Sequence, residues 1–314
     1  MLKLDIYDSS LKNITNQKYD IYICATGYEK RARYLSKKLF KEKIDIAKIK
    51  LCLAFTDHKD KHDRPANDIF FKSHGYKIID DFPTFGRLSS YLRNSLHTTN
   101  ESEKTLSVLI DYSVMRRSTY SEILLFARYL SDNGIRVRVV FSYTVGVYMG
   151  SKQPKIVDDY RLIAGFDGVG SQKKEKYGVY NLGFEPYSVS SVHEWIEPKK
   201  VKAIVANPGA MNGSANKCIQ LNKNFIDTSG CEILEIPLYS VRNYCLQVNE
   251  ILKNEASQFD VVILGVGPKP FTLGGLLCST SKVNVSNVYI RGVESEPINV
   301  ESTGQLVVTV CQFN

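Results

Sequence analysis

The sequence predicts an α/β fold with mainly parallel sheets, built from two halves of similar layout. Three observations carry that expectation. Short runs rich in β-branched and aromatic residues alternate with segments of helical periodicity, as βαβ units require. The order of those segments recurs in the second half of the 314 residues. Polar, glycine-bearing turns follow the strand runs at matching positions of both halves.

Met1–Asp8 reads as a strand and lacks the long apolar core of a secretion signal. Strand runs follow at Tyr19–Ala25, Lys48–Phe55, Tyr76–Ile79, Leu106–Tyr112 and Arg136–Tyr143. Helical patterns lie between them at Lys30–Lys41, Phe85–Ser95 and Tyr120–Ser131. Asn133-Gly134 closes the last of these with residues that tolerate left-handed backbone. A further strand at Tyr160–Ala164 is expected to finish the first half. The second half offers strands at Tyr177–Leu182, Ala203–Ala206, Glu232–Ile236, Val261–Val266 and Val285–Arg291. Its helices are Val189–Ile196, Ala215–Asp227, Val241–Asn254 and Pro270–Ser279, and Gln305–Gln312 is expected to be its last strand.

The local motifs align as well. Gly27-Tyr28-Glu29 follows the first strand of one half and Gly183-Phe184-Glu185 that of the other, an offset of 156 residues. Tyr76–Ile79 and Glu232–Leu234 keep this offset, as do Leu88–Leu96 and Tyr244–Leu252, while Val108–Tyr112 meets Val262–Val266 at 154. So small a drift points to an internal repeat. The expectation is therefore two Rossmann-like repeats related by a pseudo-two-fold axis, spanning 1–166 and 177–314. Residues 167–176, with Asp-Gly, Gly-Ser and a charged run, would be the linker.

Composition bounds the function. With 43% hydrophobic and 24% charged residues, the chain is neither disordered nor fibrous. No apolar run approaches the roughly 18–20 residues of a membrane span. The seven cysteines are scattered without a C-x-x-C pair, so no zinc or thioredoxin-like motif is present. Buried, reduced thiols in a cytoplasmic protein are expected. The formal charge of +8 is uneven: residues 1–156 carry 27 Lys and Arg against 17 Asp and Glu, and residues 157–314 carry 14 against 16. A basic half suggests an anionic partner there, although Lys30–Arg33 and Lys37–Lys43 also fit an ordinary amphipathic helix.

Parallel sheets bind ligands at the carboxyl ends of their strands, so the residues after each strand are the candidates. In the first turn, Thr26 can cap the following helix, Gly27 allows a tight turn, and Arg31 adds a cation. Glu29 suits either a helix N-terminus or a role as ribose acceptor or general base. After the fourth strand, Asp111, Ser113, Arg116 and Arg117 combine an acid, a hydroxyl and two guanidinium forks suited to phosphate or carboxylate. A structural ion pair between Asp111 and one arginine is the competing reading. In the second half, Gly183 and Glu185 repeat the first turn. Gly265, Gly267 and Lys269 form a glycine-rich loop that matches neither the dinucleotide nor the Walker pattern. Asn207, Gly209 and Asn212 make a polar turn whose amides could read a base edge or ribose. Its counterpart, Phe55–Asp63, holds His58, His62 and three aspartates, and reads more readily as a solvated loop than as a metal site. Glu29, Asp111 and Glu185 are the candidate catalytic groups.

Gly27-Tyr-Glu-Lys-Arg31, Ile110-Asp-Tyr-Ser-Val-Met-Arg116, Gly183-Phe-Glu185 and Gly267-Pro-Lys-Pro270 together resemble a set of uncharacterised bacterial proteins tied to anti-phage defence operons. The duplicated layout is also similar to paired nucleotide-sensing domains of the CARF and SAVED type. The resemblance implies a nucleotide- or phosphorylated-ligand-binding sensor or effector subunit, working beside an ATPase or a nucleic-acid-dependent partner. Two other classes stay open: a nucleotide hydrolase or N-glycosidase acting on NAD or a nucleoside, and a subunit that grips nucleic acid or a partner through the basic first repeat. No cofactor can be named.

Overall fold

A computed structural model describes residues 4–80, 92, 105–147, 157–170, 174–280, 282–292 and 297–314. The chain divides into two compact units. The first comprises Met1–Tyr148 together with Pro297–Asn314, and the second Met149–Glu296. Each is a mixed α/β unit built on one mainly parallel sheet.

In the first unit the strands are β1 (Leu4–Ser9), β2 (Tyr19–Thr26), β3 (Ala47–Ala54), β4 (Lys77–Asp80), β5 (Leu106–Asp111) and β6 (Val137–Val147). The helices are α1 (Leu11–Thr15), α2 (Tyr34–Lys41), α3 (Arg64–Ser73) and α4 (Arg117–Asp132), with a 3-10 turn at Lys30–Arg33 ahead of α2. The parallel strands lie in the order β4-β3-β2-β5-β6. The chain therefore steps outward from β2 to one edge, returns, and fills the other side. β2 is nearly all buried, which is why it reads as a continuous apolar run rather than an alternation. The core on one face packs Tyr22, Cys24, Cys52, Leu109 and Val140 against Leu35 and Leu39 of α2. Gly134, with φ of +83°, follows the end of α4 as the sequence predicts.

The second unit holds β7 (Val157–Leu162), β8 (Lys176–Asn181), β9 (Lys200–Ala206), β10 (Glu232–Ile236), β11 (Asp260–Gly265) and β12 (Val285–Gly292). Its helices are α5 (Pro186–Ile196), α6 (Ser214–Leu221), α7 (Lys223–Ser229), α8 (Val241–Glu255) and α9 (Lys269–Ser279). The parallel order is β10-β9-β8-β11-β12. Here too the first parallel strand sits in the middle. Proline stands in the opening turn of α3, α5 and α9, where its missing N–H costs nothing. No helix among the described residues is long and apolar enough to cross a membrane.

Three expectations are corrected. The last strand of each half belongs to the other sheet. β7, read as the end of the first half, pairs antiparallel with β12. β13 (Glu301–Phe313), read as the end of the second, pairs antiparallel with β6 and β1. Residue pattern shows that a strand exists and which faces it presents, but the strand it pairs with is chosen by chain path. Residues 167–176 are accordingly no linker. Phe166 O accepts from Asn287 N at 2.8 Å and Asp167 O from Ser286 Oγ at 2.7 Å, so the start of this stretch is pinned to β12, inside the second unit. The units divide at 148/149 and 296/297 instead. Finally, Ala215–Asp227 is two helices, broken at Asn222. The expected helix Phe85–Ser95 lies, apart from the helical Leu92, outside the described residues.

Candidate functional site

Strand order in the first unit reverses between β2 and β5, leaving a crevice at their carboxyl ends. A cleft of about 190 Å³ opens there. One wall is the turn Gly27-Tyr28-Glu29 after β2, a second is Phe55, Asp57 and His58 after β3, and a third is Val114 and Arg116 after β5. Arg64, from the first turn of α3, completes the lining.

The turn after β2 is held by its carbonyls. Asn67 Nδ2, fully buried on α3, donates to Gly27 O at 2.7 Å and to Glu29 O at 2.9 Å. Asp63 N donates to Tyr28 O at 3.1 Å. Three successive carbonyls thus end on the start of one helix, which fixes where Tyr28 and Glu29 stand. Thr26 does not cap the following 3-10 turn; its buried hydroxyl donates to Asp68 Oδ1 at 2.6 Å. Glu29 occupies the N-cap position without a capping bond. Its carboxylate accepts from Arg31 Nε at 2.6 Å, both side chains being largely buried. Arg31 Nη1 also donates to Tyr143 OH at 3.0 Å and Thr144 O at 2.9 Å. Burial opposes the Arg31 charge, but Tyr143 and Glu29 outweigh it and raise its pKa further. Arg31 is thus committed to the fold, behind the cleft wall.

The free chemistry of the cleft lies elsewhere. Arg116 donates to Asp57 Oδ2 at 2.7 Å, a pair about two-fifths exposed on both sides, and lies over the Phe55 ring at 4.9 Å. Arg64 is 2% exposed. It donates to Asp68 Oδ1 at 2.8 Å and to Asp57 O at 3.4 Å. The Tyr28 hydroxyl is pushed up to about 12, by burial first and then by the charges of Glu29 and Asp57, so at neutral pH it remains a proton donor. His58 packs edge-on against the Tyr28 ring at 5.5 Å. The arrangement offers one exposed and one buried guanidinium group, a phenol and aromatic faces in one small crevice, suited to an anion carrying an apolar or ring portion.

Asp111 and Ser113, also proposed from sequence, are fasteners. Ser113 N donates to Asp111 Oδ1 at 3.1 Å, the Ser113 hydroxyl donates to the same oxygen, and Ser113 Oγ accepts from Thr144 N at 2.7 Å. Both are buried and tie the end of β5 to β6. Arg117 opens α4 next to the cleft residue Arg116. Phe55 and Asp57 belong to the loop that reads from sequence as solvated, and Arg64, at the start of a helix that opens with Arg-Pro-Ala-Asn, was missed. The rule that ligands sit at strand ends applies to that loop as much as to its neighbours.

At the equivalent reversal in the second unit the glycines answer to packing. A side chain at Gly267 would stand 2.7 Å from Leu182 O, and one at Gly183 would stand 3.3 Å from Val266 O. The turns after β8 and β11 therefore lie backbone against backbone. Gly265 packs on Thr272, and a side chain at Gly209 would overlap the Ser214 hydroxyl. Asn207 Nδ2 donates to Glu235 Oε2 at 2.6 Å, and Asn212 is exposed. Glu185 is the N-cap residue of α5 and Lys269 the first residue of α9. Asn222, at the break between α6 and α7, donates to Gly183 O at 2.8 Å and to Cys218 O at 2.8 Å.

No protein-family model matches the chain, and no curated protein matches it. Among solved structures, it aligns with a functionally unknown protein from Pseudomonas aeruginosa PAO1 at 9% identity, over 87% of this chain and 93% of that one, with a TM-score of 0.23.

Proposed function

We propose that the first unit is a receptor for a small phosphorylated ligand, a nucleotide or comparable anion, seated in the cleft between β2, β3 and β5. The observation that carries this reading is the placing of Arg116 and Arg64 with the neutral Tyr28 in the cleft where the strand order of the first unit reverses. Arg116 is half-exposed and bonded to a half-exposed Asp57, a contact a ligand phosphate can replace at little cost. Phe55 and Tyr28 would flank the ring portion. Resemblance of the strand-end motifs to defence-associated proteins supports a sensor or effector role in a bacterial defence system.

A duplicated Rossmann-like ancestor also belongs to this proposal. Both sheets run third, second, first, fourth, fifth, with an antiparallel strand on the fifth. Asn67 and Asn222 clamp the same carbonyl, that of Gly27 or Gly183, at a spacing of 155 residues against 156 for the glycines. On this reading the second copy has traded its crevice for backbone packing.

The test is thermal unfolding against a panel of inorganic phosphate, nucleosides and nucleoside mono-, di- and triphosphates. A binding nucleotide at a hundred times its Kd stabilises by about 2.7 kcal/mol, or several degrees. Arg116→Ala should abolish most of that rise and Lys269→Ala should leave it intact. Absence of any rise with the whole panel sinks the proposal. An enzymatic variant of it assigns Glu29, which borders the cleft, to stabilising a cationic sugar transition state. Product formed from NAD or a nucleotide, and lost in Glu29→Gln, would establish that variant.

A further inference from the structure

Outside the cleft, the first unit carries a surface whose chemistry suits a different partner. Phe40, the penultimate residue of α2, is 61% exposed. Its ring meets His74 edge-on at 4.0 Å, and His74 stacks on Phe70 at 4.1 Å and 26°. The imidazole is fixed in place by Phe70 O, 2.7 Å from Nδ1. Ile69, on the same helix as Phe70, is 68% exposed. A stepped set of rings thus links the ends of α2 and α3 at the surface.

Lysines surround it: Lys37, Lys38 and Lys41 on α2, Lys43 just beyond, and Lys72 in the last turn of α3. Other surface lysines in this protein take carboxylate partners, as in Lys18–Asp45, Lys30–Glu301, Lys48–Asp20, Lys199–Glu175 and Lys223–Asp227. None of the five around Phe40 has an ion pair among the described residues. Two helix C-termini account for some of this positive charge, but not for an exposed phenylalanine in its midst.

We infer that this surface binds single-stranded nucleic acid, with bases stacking on the Phe40 and His74 rings and lysines tracking the phosphates. Charge complementarity argues for a polyanion, and exposed rings argue for one whose bases are unstacked and free to pair with a π-face. A duplex buries those faces. An acidic peptide would satisfy the lysines but would gain nothing particular from stepped rings.

Fluorescence anisotropy with a labelled single-stranded oligonucleotide and its duplex, across a potassium chloride titration, tests this. The single strand should bind more tightly than the duplex. Phe40→Ala should weaken it about tenfold without changing the salt slope, since no charge is removed. Lys37→Ala, Lys41→Ala and Lys72→Ala combined should lower the log–log salt slope by about two, at roughly 0.7 per phosphate contact. Phe40 is exposed, so the variant should unfold at the wild-type temperature and keep any nucleotide-induced rise, which separates this surface from the cleft. No binding by the wild type overturns the inference. Equal affinity for duplex and single strand, with Phe40→Ala silent, overturns it in favour of plain charge attraction. Full displacement of the oligonucleotide by an acidic peptide of equal charge overturns it in favour of a protein partner.

Discussion

Two glycines with the same sequence appearance do different work. A side chain at Gly27 would meet Val114 at 3.6 Å, an ordinary contact, whereas one at Gly267 would sit 2.7 Å from Leu182 O and 3.0 Å from Asn181 O. Flexible side chains can yield, but backbone carbonyls inside a sheet cannot. Gly27→Ala is therefore expected within about 0.5 kcal/mol of wild type, and Gly267→Ala to lose about 1–3 kcal/mol, measured by urea unfolding. Equal losses at the two positions would contradict this division. Any ligand-binding defect in Gly27→Ala then reports on the cleft rather than on the fold. Sequence revealed the glycines but not their neighbours, which is why the glycine-rich loop of the second unit stands among the ligand-site candidates beside that of the first. The same limit applies to Arg31 and Arg116: both are arginines beside a strand-end turn, yet only packing separates the one locked to Glu29 from the one exposed beside Asp57.

At the scale of elements, the central parallel strands β2, β5, β8 and β11 were legible because nearly all their residues are buried, so each forms a short, dense apolar run. α3 was not, since it opens with Arg-Pro-Ala-Asn and its large apolar residues, Ile69, Phe70 and Phe71, are consecutive rather than spread along a helical face. That helix nonetheless supplies Arg64 to the cleft and Asn67 to the turn beneath it. Asn222 plays the matching part in the second unit by interrupting what periodicity alone reads as one helix. Removing either amide strands buried carbonyls, so Asn67→Ala and Asn222→Ala should each cost about 1–3 kcal/mol. Asn→Asp at either site keeps the size but removes the donor, and should cost at least as much. Chemical denaturation of the four variants checks this, and an Asp variant as stable as wild type would show that the carbonyl clamp contributes nothing. Antiparallel β7 and β13 were legible as strands and illegible as partners, because the residue pattern of a strand does not say which sheet the chain path brings it to.

Across the whole molecule, the basic surplus of the first 156 residues resolves into separate uses. Arg31 is internal, Arg64 is buried in the wall of the cleft that Arg116 also lines, and the lysines around Phe40 have no ion pair among the described residues. The molecule also places many of its 19 tyrosines in or against its cores, and burial raises the hydroxyls of Tyr19, Tyr22, Tyr76, Tyr112, Tyr180 and Tyr244. Tyr28 and Tyr177 are each pushed up to about 12, again chiefly by burial. In the unfolded chain these groups ionise near 10. Between those values the folded state holds more protons than the unfolded one, so stability must fall as pH rises. The contribution is fully present below about pH 10 and is lost as pH climbs through the folded values, with each such tyrosine adding about 1.4 kcal/mol per pH unit to the slope. Denaturation midpoints should accordingly be flat with respect to tyrosine up to about pH 9.5 and drop steeply from there toward pH 12. Native-state phenolate absorbance should lag behind that of the unfolded chain over the same range. Coincident phenolate titration of native and unfolded protein near pH 10 would mean that these hydroxyls are open to solvent, and with them the Tyr28 wall of the cleft.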